Sequence, residues 1–292
     1  MFTATLLTNP QTPILDRTTV ESLRNAWGGG DAVWLDPGVA AEFPLESMPA
    51  NLWDVWGGLQ GLGIDLAVQS TANRRKRLLI ADMDSTMIQQ ECIDELADEA
   101  GVGAYVASIT ARAMNGELDF EAALRERVGL LKDLPANVID GVIRDRITLM
   151  PGGPALLATM RANGAYAALV SGGFTAFSAR IASVLGFDEN RANTLLIENG
   201  KLTGHVADPI LGKQAKLDAL NQITARLGLT PDDAIAVGDG ANDLAMLTRA
   251  GAGVALHAKP SVAAQCDLRV NHGDLTALLY LQGYAREEFA AG

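Results

Sequence analysis

Leu78-Leu79-Ile80-Ala81-Asp82-Met83-Asp84-Ser85-Thr86 is the segment from which the fold can be read. Four apolar residues without polar alternation predict a strand buried on both faces, and the strand delivers two carboxylates to its carboxyl end. Negative charge is costly there. Crowded carboxylates repel one another and resist desolvation, so a divalent cation or a shared proton accounts for them. A hard cation prefers oxygen ligands, and magnesium keeps its remaining positions for water and phosphate oxygens. Metal-assisted phosphoryl chemistry is the expectation. Taken alone, the acidic pair reads more simply as a solvated turn or a helix cap. A calcium loop is excluded, since it needs glycine at the sixth position, where Met87 stands.

Further apolar runs follow at Tyr166 to Val170, Ala234 to Val237, Val254 to Leu256 and Leu268 to Val270, separated by segments of helical period. Such alternation predicts an α/β fold with a doubly wound parallel sheet, whose ligands bind beyond the carboxyl ends of the strands. Every chemical motif should then follow a strand. Between the first two strands, residues 89–148 carry apolar positions at helical spacing, including Ile93, Leu96, Val106, Ile109, Leu124, Val128 and Leu131. This insertion is far longer than a crossover needs and predicts a helical cap that excludes water from the site. In helix Glu91 to Ala100 the spacing turns Asp94, Glu95, Asp98 and Glu99 to water.

Residues 1–75 read as a separate small α/β module, with 76–292 as the core and its cap. Strands are predicted at Thr3 to Leu7, Ala32 to Leu35 and Ile64 to Val68, and helices at Arg17 to Trp27 and Leu52 to Leu59. Pro37 to Pro49 reads as a proline-containing connection. Trp27, Trp34, Trp53 and Trp56 are expected to fill the module's small core. Arg74-Arg75-Lys76-Arg77 reads as a solvated boundary.

Composition narrows the partners. Of 292 residues 48% are hydrophobic, enough for a large core, and the net charge is -12. That charge disfavours nucleic acid and anionic membrane surfaces. Cys92 and Cys266 form no CxxC pair, which argues against structural zinc and suits a reducing cytoplasm. No signal peptide or membrane-spanning run is evident. His205, His257 and His272 are scattered and receive no catalytic role.

Three motifs complete the site. Ser171-Gly172-Gly173 ends the second core strand and offers a hydroxyl and open amides for phosphate oxygens. Gly238-Asp239-Gly240-Ala241-Asn242-Asp243 ends the third, where Asp239 spoils a dinucleotide loop but suits a metal. Asp239 would join Asp82 and the backbone carbonyl of Asp84 as ligands, with Asn242 and Asp243 orienting them or a bound water. A positive charge must also balance the transferring phosphoryl group, and Lys216 is the choice, with Lys213 as the fallback.

This order of motifs resembles the haloacid dehalogenase-like phosphohydrolases. Glu91, the segment Phe120 to Arg127, and Ser171-Gly172-Gly173-Phe174 are similar to the phosphoserine phosphatase family within them, over about residues 77 to 285. The resemblance implies Asp82 as nucleophile, forming an aspartyl-phosphate, and Asp84 as the acid for the leaving serine and then the base for water. It implies Glu91 on the substrate ammonium, Arg127 on its carboxylate, and Met114 and Phe120 along the apolar side of the pocket. Magnesium-dependent hydrolysis of O-phospho-L-serine, the last step of serine biosynthesis, is the implied activity. Phosphoryl transfer to homoserine, or an amino-acid sensor without turnover, stay open. So do dimerisation and feedback through the amino-terminal module.

Overall fold

The computed structural model describes residues 1–115 and 117–291, the Met114 side chain apart. Strands β1 (Phe2–Leu7), β2 (Val33–Asp36), β3 (Ala40–Leu45) and β4 (Asp65–Ser70) form an antiparallel sheet in the order β2-β3-β1-β4. One face packs Leu6, Phe43 and Leu66 against helices α1 (Arg17–Ala26) and α2 (Leu52–Gln60). The other face joins the main core through Leu7, Ala40 and Ala67. Strand β3 falls inside the connection expected at Pro37 to Pro49. It tolerates Pro44 because the Pro44 carbonyl accepts from Gly30, past the end of β2, so the missing N–H points away from the β1 ladder.

The acidic segment grows from β5 (Leu78–Ala81). After it come cap helices α3 (Cys92–Glu99), α4 (Gly103–Met114), α5 (Phe120–Gly129) and α6 (Val138–Asp145), then α7 (Gly153–Ala162). The insertion's two ends are tied together by an Ile88–Leu149 bridge and by Gln89 N donating to Thr148 O at 3.0 Å. Next are β6 (Tyr166–Phe174), α8 (Thr175–Leu185), β7 (Glu189–Asn193) and a hairpin of β8 (Leu195–Glu198) and β9 (Lys201–Val206). The chain continues through α9 (Lys213–Arg226), β10 (Ala234–Gly238), α10 (Leu244–Arg249), β11 (Ala252–Leu256), α11 (Pro260–Ala263), β12 (Leu268–Val270) and α12 (Ala277–Leu281).

The core sheet is parallel, in the order β12-β11-β10-β5-β6-β7, as the alternating pattern predicts. Leu79, Leu169 and Val237 face one hydrophobic core, whereas Leu78, Val170 and Ala236 face the other, so the strands are covered on both sides. That double burial is why they lack polar alternation. Among the described residues no helix is long and apolar enough to cross a membrane.

Two readings of the first module need correction. Trp53 is 42% exposed, with the Arg269 guanidinium stacked 3.8 Å above its ring, because a surface tryptophan can bury one face under a cation. The basic run is not a solvated boundary throughout. Arg74 pairs with Glu42 at 2.5 Å and donates from Nε to Leu281 O at 3.1 Å, which joins the module to the core, while buried Lys76 donates to Asp232 O at 2.7 Å within the core.

Candidate active site

Strands β5 and β10 are neighbours, and the Asp82 N–H extends their ladder by donating to Val237 O at 3.0 Å. The chain therefore leaves both strands at the same level. Asp82 and Asp239 meet there, joined by Asp243, with carboxylate oxygens of all three within 4.8 Å of one another. Gly238 makes this convergence sterically possible, since a Cβ at that position would lie 2.4 Å from Asp243 Cγ. Asp243 Oδ2 folds back to accept from Gly240 N at 3.0 Å.

Lys216, fully buried on α9, donates to Asp82 Oδ2 at 2.7 Å and to Asp243 Oδ1 at 2.6 Å. Burial works against its charge, but the Asp243 and Asp82 carboxylates outweigh this and hold its proton above the usual lysine range. Lys213 is exposed at the start of α9 and forms no part of this cluster. One ammonium does not balance three buried carboxylates. Burial and then the Asp243 charge push Asp239 up to about 7, and the same two causes raise Asp82 well above the ordinary aspartate range. Asp239 Oδ2 is buried without a hydrogen-bond partner, and Lys259 Nζ stands 3.8 Å from it. Surplus negative charge, an unsatisfied carboxylate oxygen and an all-oxygen donor set fit a hard divalent cation held by Asp82 and Asp239.

Asp84 turns its carboxylate toward the cap. Its Oδ1 accepts from Cys92 N at 2.9 Å and its Oδ2 from Ser171 Oγ at 3.3 Å, while burial raises its pKa. Ser171 Oγ is itself fixed by Gly173 N at 2.8 Å. A Cβ on Gly173 would lie 2.4 Å from Asp84 Oδ2, and one on Gly172 would lie 2.7 Å from Phe120 Cζ, so the glycine pair lets cap and carboxylate approach the strand end. Glu91 precedes α3, takes a 2.6 Å bond from Ser85 Oγ, and is pushed well up first by burial and then by Asp84. Arg127 is 5% exposed on α5. Its Nε donates to Ala123 O at 3.1 Å and its Nη1 to Thr110 Oγ1 at 2.9 Å. Among the described residues no carboxylate pairs with it.

One cavity is lined by Asp82, Asp84, Glu91, Phe120, Arg127, Ser171, Gly172 and Asn242, so residues from the core and the cap share a single chamber. Asn242 Oδ1 is buried without a partner. The structure differs from the sequence expectation at Asp243, whose carboxylate stands within the cluster instead of behind it, because the Gly240 bond and Lys216 draw it in. Met114 ends α4, and its side chain lies outside the described residues. Asp94, expected in water, accepts instead from Thr110 Oγ1 at 2.6 Å. Sequence reasoning missed Asn193 altogether. This buried side chain donates to Gly172 O at 2.8 Å and accepts from Leu211 N at 2.7 Å, tying the Ser-Gly-Gly turn to the chain that enters α9. A lone asparagine on a polar strand carries no local signal of that role. Lys259 was missed for the same reason.

The model of haloacid dehalogenase-like hydrolases matches residues 79–248, more than half of the chain. A phosphoserine phosphatase of Haemophilus influenzae is 48% identical over 204 residues, which cover 70% of this chain and 65% of that protein. Across the first curated relatives the chain spans 63% to 66% of their length. A haloacid dehalogenase family hydrolase of Salmonella enterica serovar Typhi superposes with a TM-score of 0.83 at 31% identity, over 96% of this chain and 98% of that one. A substrate-bound phosphoserine phosphatase superposes with a TM-score of 0.68 at 41% identity, over 70% of this chain and 97% of that one.

Proposed function

The chain belongs to the haloacid dehalogenase-like hydrolases, and from that membership we propose that it hydrolyses O-phospho-L-serine to L-serine and phosphate through an aspartyl-phosphate on Asp82. The observation that carries the substrate assignment is Arg127, a buried guanidinium with no carboxylate partner among the described residues, in the same cavity as Glu91, Asp82 and Asp84. Substrate supplies the missing partners. Its carboxylate meets the Arg127 fork, and its ammonium meets Glu91. The phosphate then lies toward Asp82, within reach of the Ser171 hydroxyl and the Asn242 side chain. Phe120 closes the apolar side. The similarity of much of the chain to phosphoserine phosphatases supports the same reading.

In the first half-reaction an Asp82 oxygen forms a bond to phosphorus as the P–O bond to the serine oxygen breaks. Asp84, raised by burial and so able to enter as the carboxylic acid, gives its proton to that departing oxygen. In the second half-reaction Asp84, now a carboxylate, takes a proton from the water that attacks phosphorus. Phosphate leaves, and the Asp82 carboxylate is restored. Lys216 holds Asp82 in place by direct contact and adds positive charge beside the transferring group. Magnesium, the ion we assign to Asp82, Asp239 and the Asp84 backbone carbonyl, supplies charge stabilisation to the phosphoryl oxygens when bound. Two buried free thiols, Cys92 and Cys266, support a cytoplasmic setting.

A panel of phosphomonoesters, assayed with and without magnesium and with homoserine as an added acceptor, tests this reading. The expected result is magnesium-dependent release of phosphate, with phosphoserine strongly preferred over phosphoethanolamine, which lacks the carboxylate. Equal kcat/KM on those two, or phosphohomoserine as the main product, overturns it.

A further inference from the structure

A buried guanidinium ordinarily pairs with a carboxylate, because leaving its charge uncompensated is costly. Arg127 meets a hydroxyl instead. Thr110, 3% exposed on α4, places Oγ1 2.9 Å from Arg127 Nη1 and 2.6 Å from Asp94 Oδ1 on α3. A hydroxyl carries one proton and accepts through its lone pairs, so Thr110 donates to Asp94 and accepts from Arg127. The Val106 carbonyl, at 3.1 Å, is a longer alternative for the same proton. With Nε on the Ala123 carbonyl, the guanidinium is fixed at two points. Among the described residues no acceptor takes Nη2 or the second hydrogen on Nη1. A direct Asp94–Arg127 pair would fix the group equally well, but it would engage the planar fork that a ligand carboxylate needs and neutralise its charge. The interposed hydroxyl separates the two tasks, drawing on the distant Asp94 charge without a bidentate ion pair.

We propose that Thr110, backed by Asp94, is a positioning residue that aims Arg127 into the cavity and thereby sets selectivity for phosphomonoesters bearing a carboxylate. This inference rests on the reading of Arg127 as the carboxylate ligand. It ties selectivity to the mutual register of α3, α4 and α5, since each helix supplies one member of the chain Asp94–Thr110–Arg127.

Thr110→Val keeps the shape and removes the hydroxyl, whereas Thr110→Ser keeps the hydroxyl and removes only a methyl. KM and kcat are measured for both variants on phosphoserine and on phosphoethanolamine. Losing a hydrogen bond to a charged group is expected to raise KM for phosphoserine roughly tenfold in Thr110→Val, with kcat changed less than about twofold. Phosphoethanolamine kinetics should not move, and Thr110→Ser should behave like the parent. Nitrogen NMR of the arginine side chains gives a substrate-free reading: rotation of the Arg127 guanidinium is slow in the parent and in Thr110→Ser, and fast in Thr110→Val. Equal losses on both substrates, a Thr110→Ser variant as impaired as Thr110→Val, or unchanged Arg127 rotation in Thr110→Val overturns the proposal. A parent enzyme without preference for phosphoserine defeats the carboxylate reading instead, and the NMR comparison then decides the positioning role by itself.

Discussion

Gly173 has no room for a side chain, since a Cβ would stand 2.4 Å from Oδ2 of Asp84, the residue proposed as acid and base. Gly173→Ala should therefore displace Asp84 and lower kcat roughly a hundredfold, because small misplacements of a reacting group cost that much. Circular dichroism should stay unchanged. Wild-type kcat in that variant would contradict the placement. Burial, then Asp243, lifts Asp239 from an ordinary 3.8 to about 7 in the folded chain without a cation, so folding takes up a proton. That contribution is present in full below the ordinary aspartate range and is lost as pH rises through about 7. A divalent cation at this carboxylate would replace the proton. The rise in Tm from magnesium over chelator should thus be larger at about pH 8 than at about pH 6, and the reverse order would refute the assignment. At this scale Asp82, Asp84, Ser171 and Asp239 are legible in the sequence, because each follows an apolar strand run. Asn193, Thr110 and Lys259 are not, since their roles come from partners remote in the chain.

Cap helix α5 brings both Phe120 and Arg127 to the cavity, and its start is held by Asp119 accepting from Ala122 N at 2.9 Å. Asp119→Ala should weaken that helix start by about 1 kcal/mol, visible as faster hydrogen exchange over residues 120 to 124 and a severalfold fall in kcat/KM on phosphoserine. Unchanged exchange there would show that packing alone holds the helix. Five of the six core strands and the helices between the first two of them are legible because double burial and helical period leave strong patterns. Strand β7 escaped notice because Glu189–Asn193 lies at the sheet edge and is polar. Hairpin β8–β9 escaped because its outward residues Leu196 and Ile197 are apolar. That hairpin is held by the cap connection, where Asp133 N donates to Leu202 O and Leu202 N to Leu134 O, both at 2.9 Å.

Across the whole molecule, one buried carboxylate adds to the apolar and polar contacts that fasten the amino-terminal sheet to the core. Asp65 accepts from the backbone amides of Asn271, His272 and Gly273, each at 2.9 Å. Asp65→Ala should cost about 3 kcal/mol by orphaning those donors, read as a lower urea midpoint. A midpoint unchanged within error would mean that the docking does not depend on it. This attachment is not legible in the sequence, where Asp65 is one acid at the start of a strand. The acidic cluster with its lysine belongs to the same scale, because Asp82, Lys216 and Asp239 come from segments that only the folded sheet brings together. Rapid mixing with phosphoserine and magnesium, acid quenching and peptide mass spectrometry test that convergence most directly. We expect a single added phosphoryl group on the peptide containing Asp82, absent in Asp82→Asn, which should also release no phosphate. Phosphate release with the label on another residue, or undiminished in Asp82→Asn, would contradict the account.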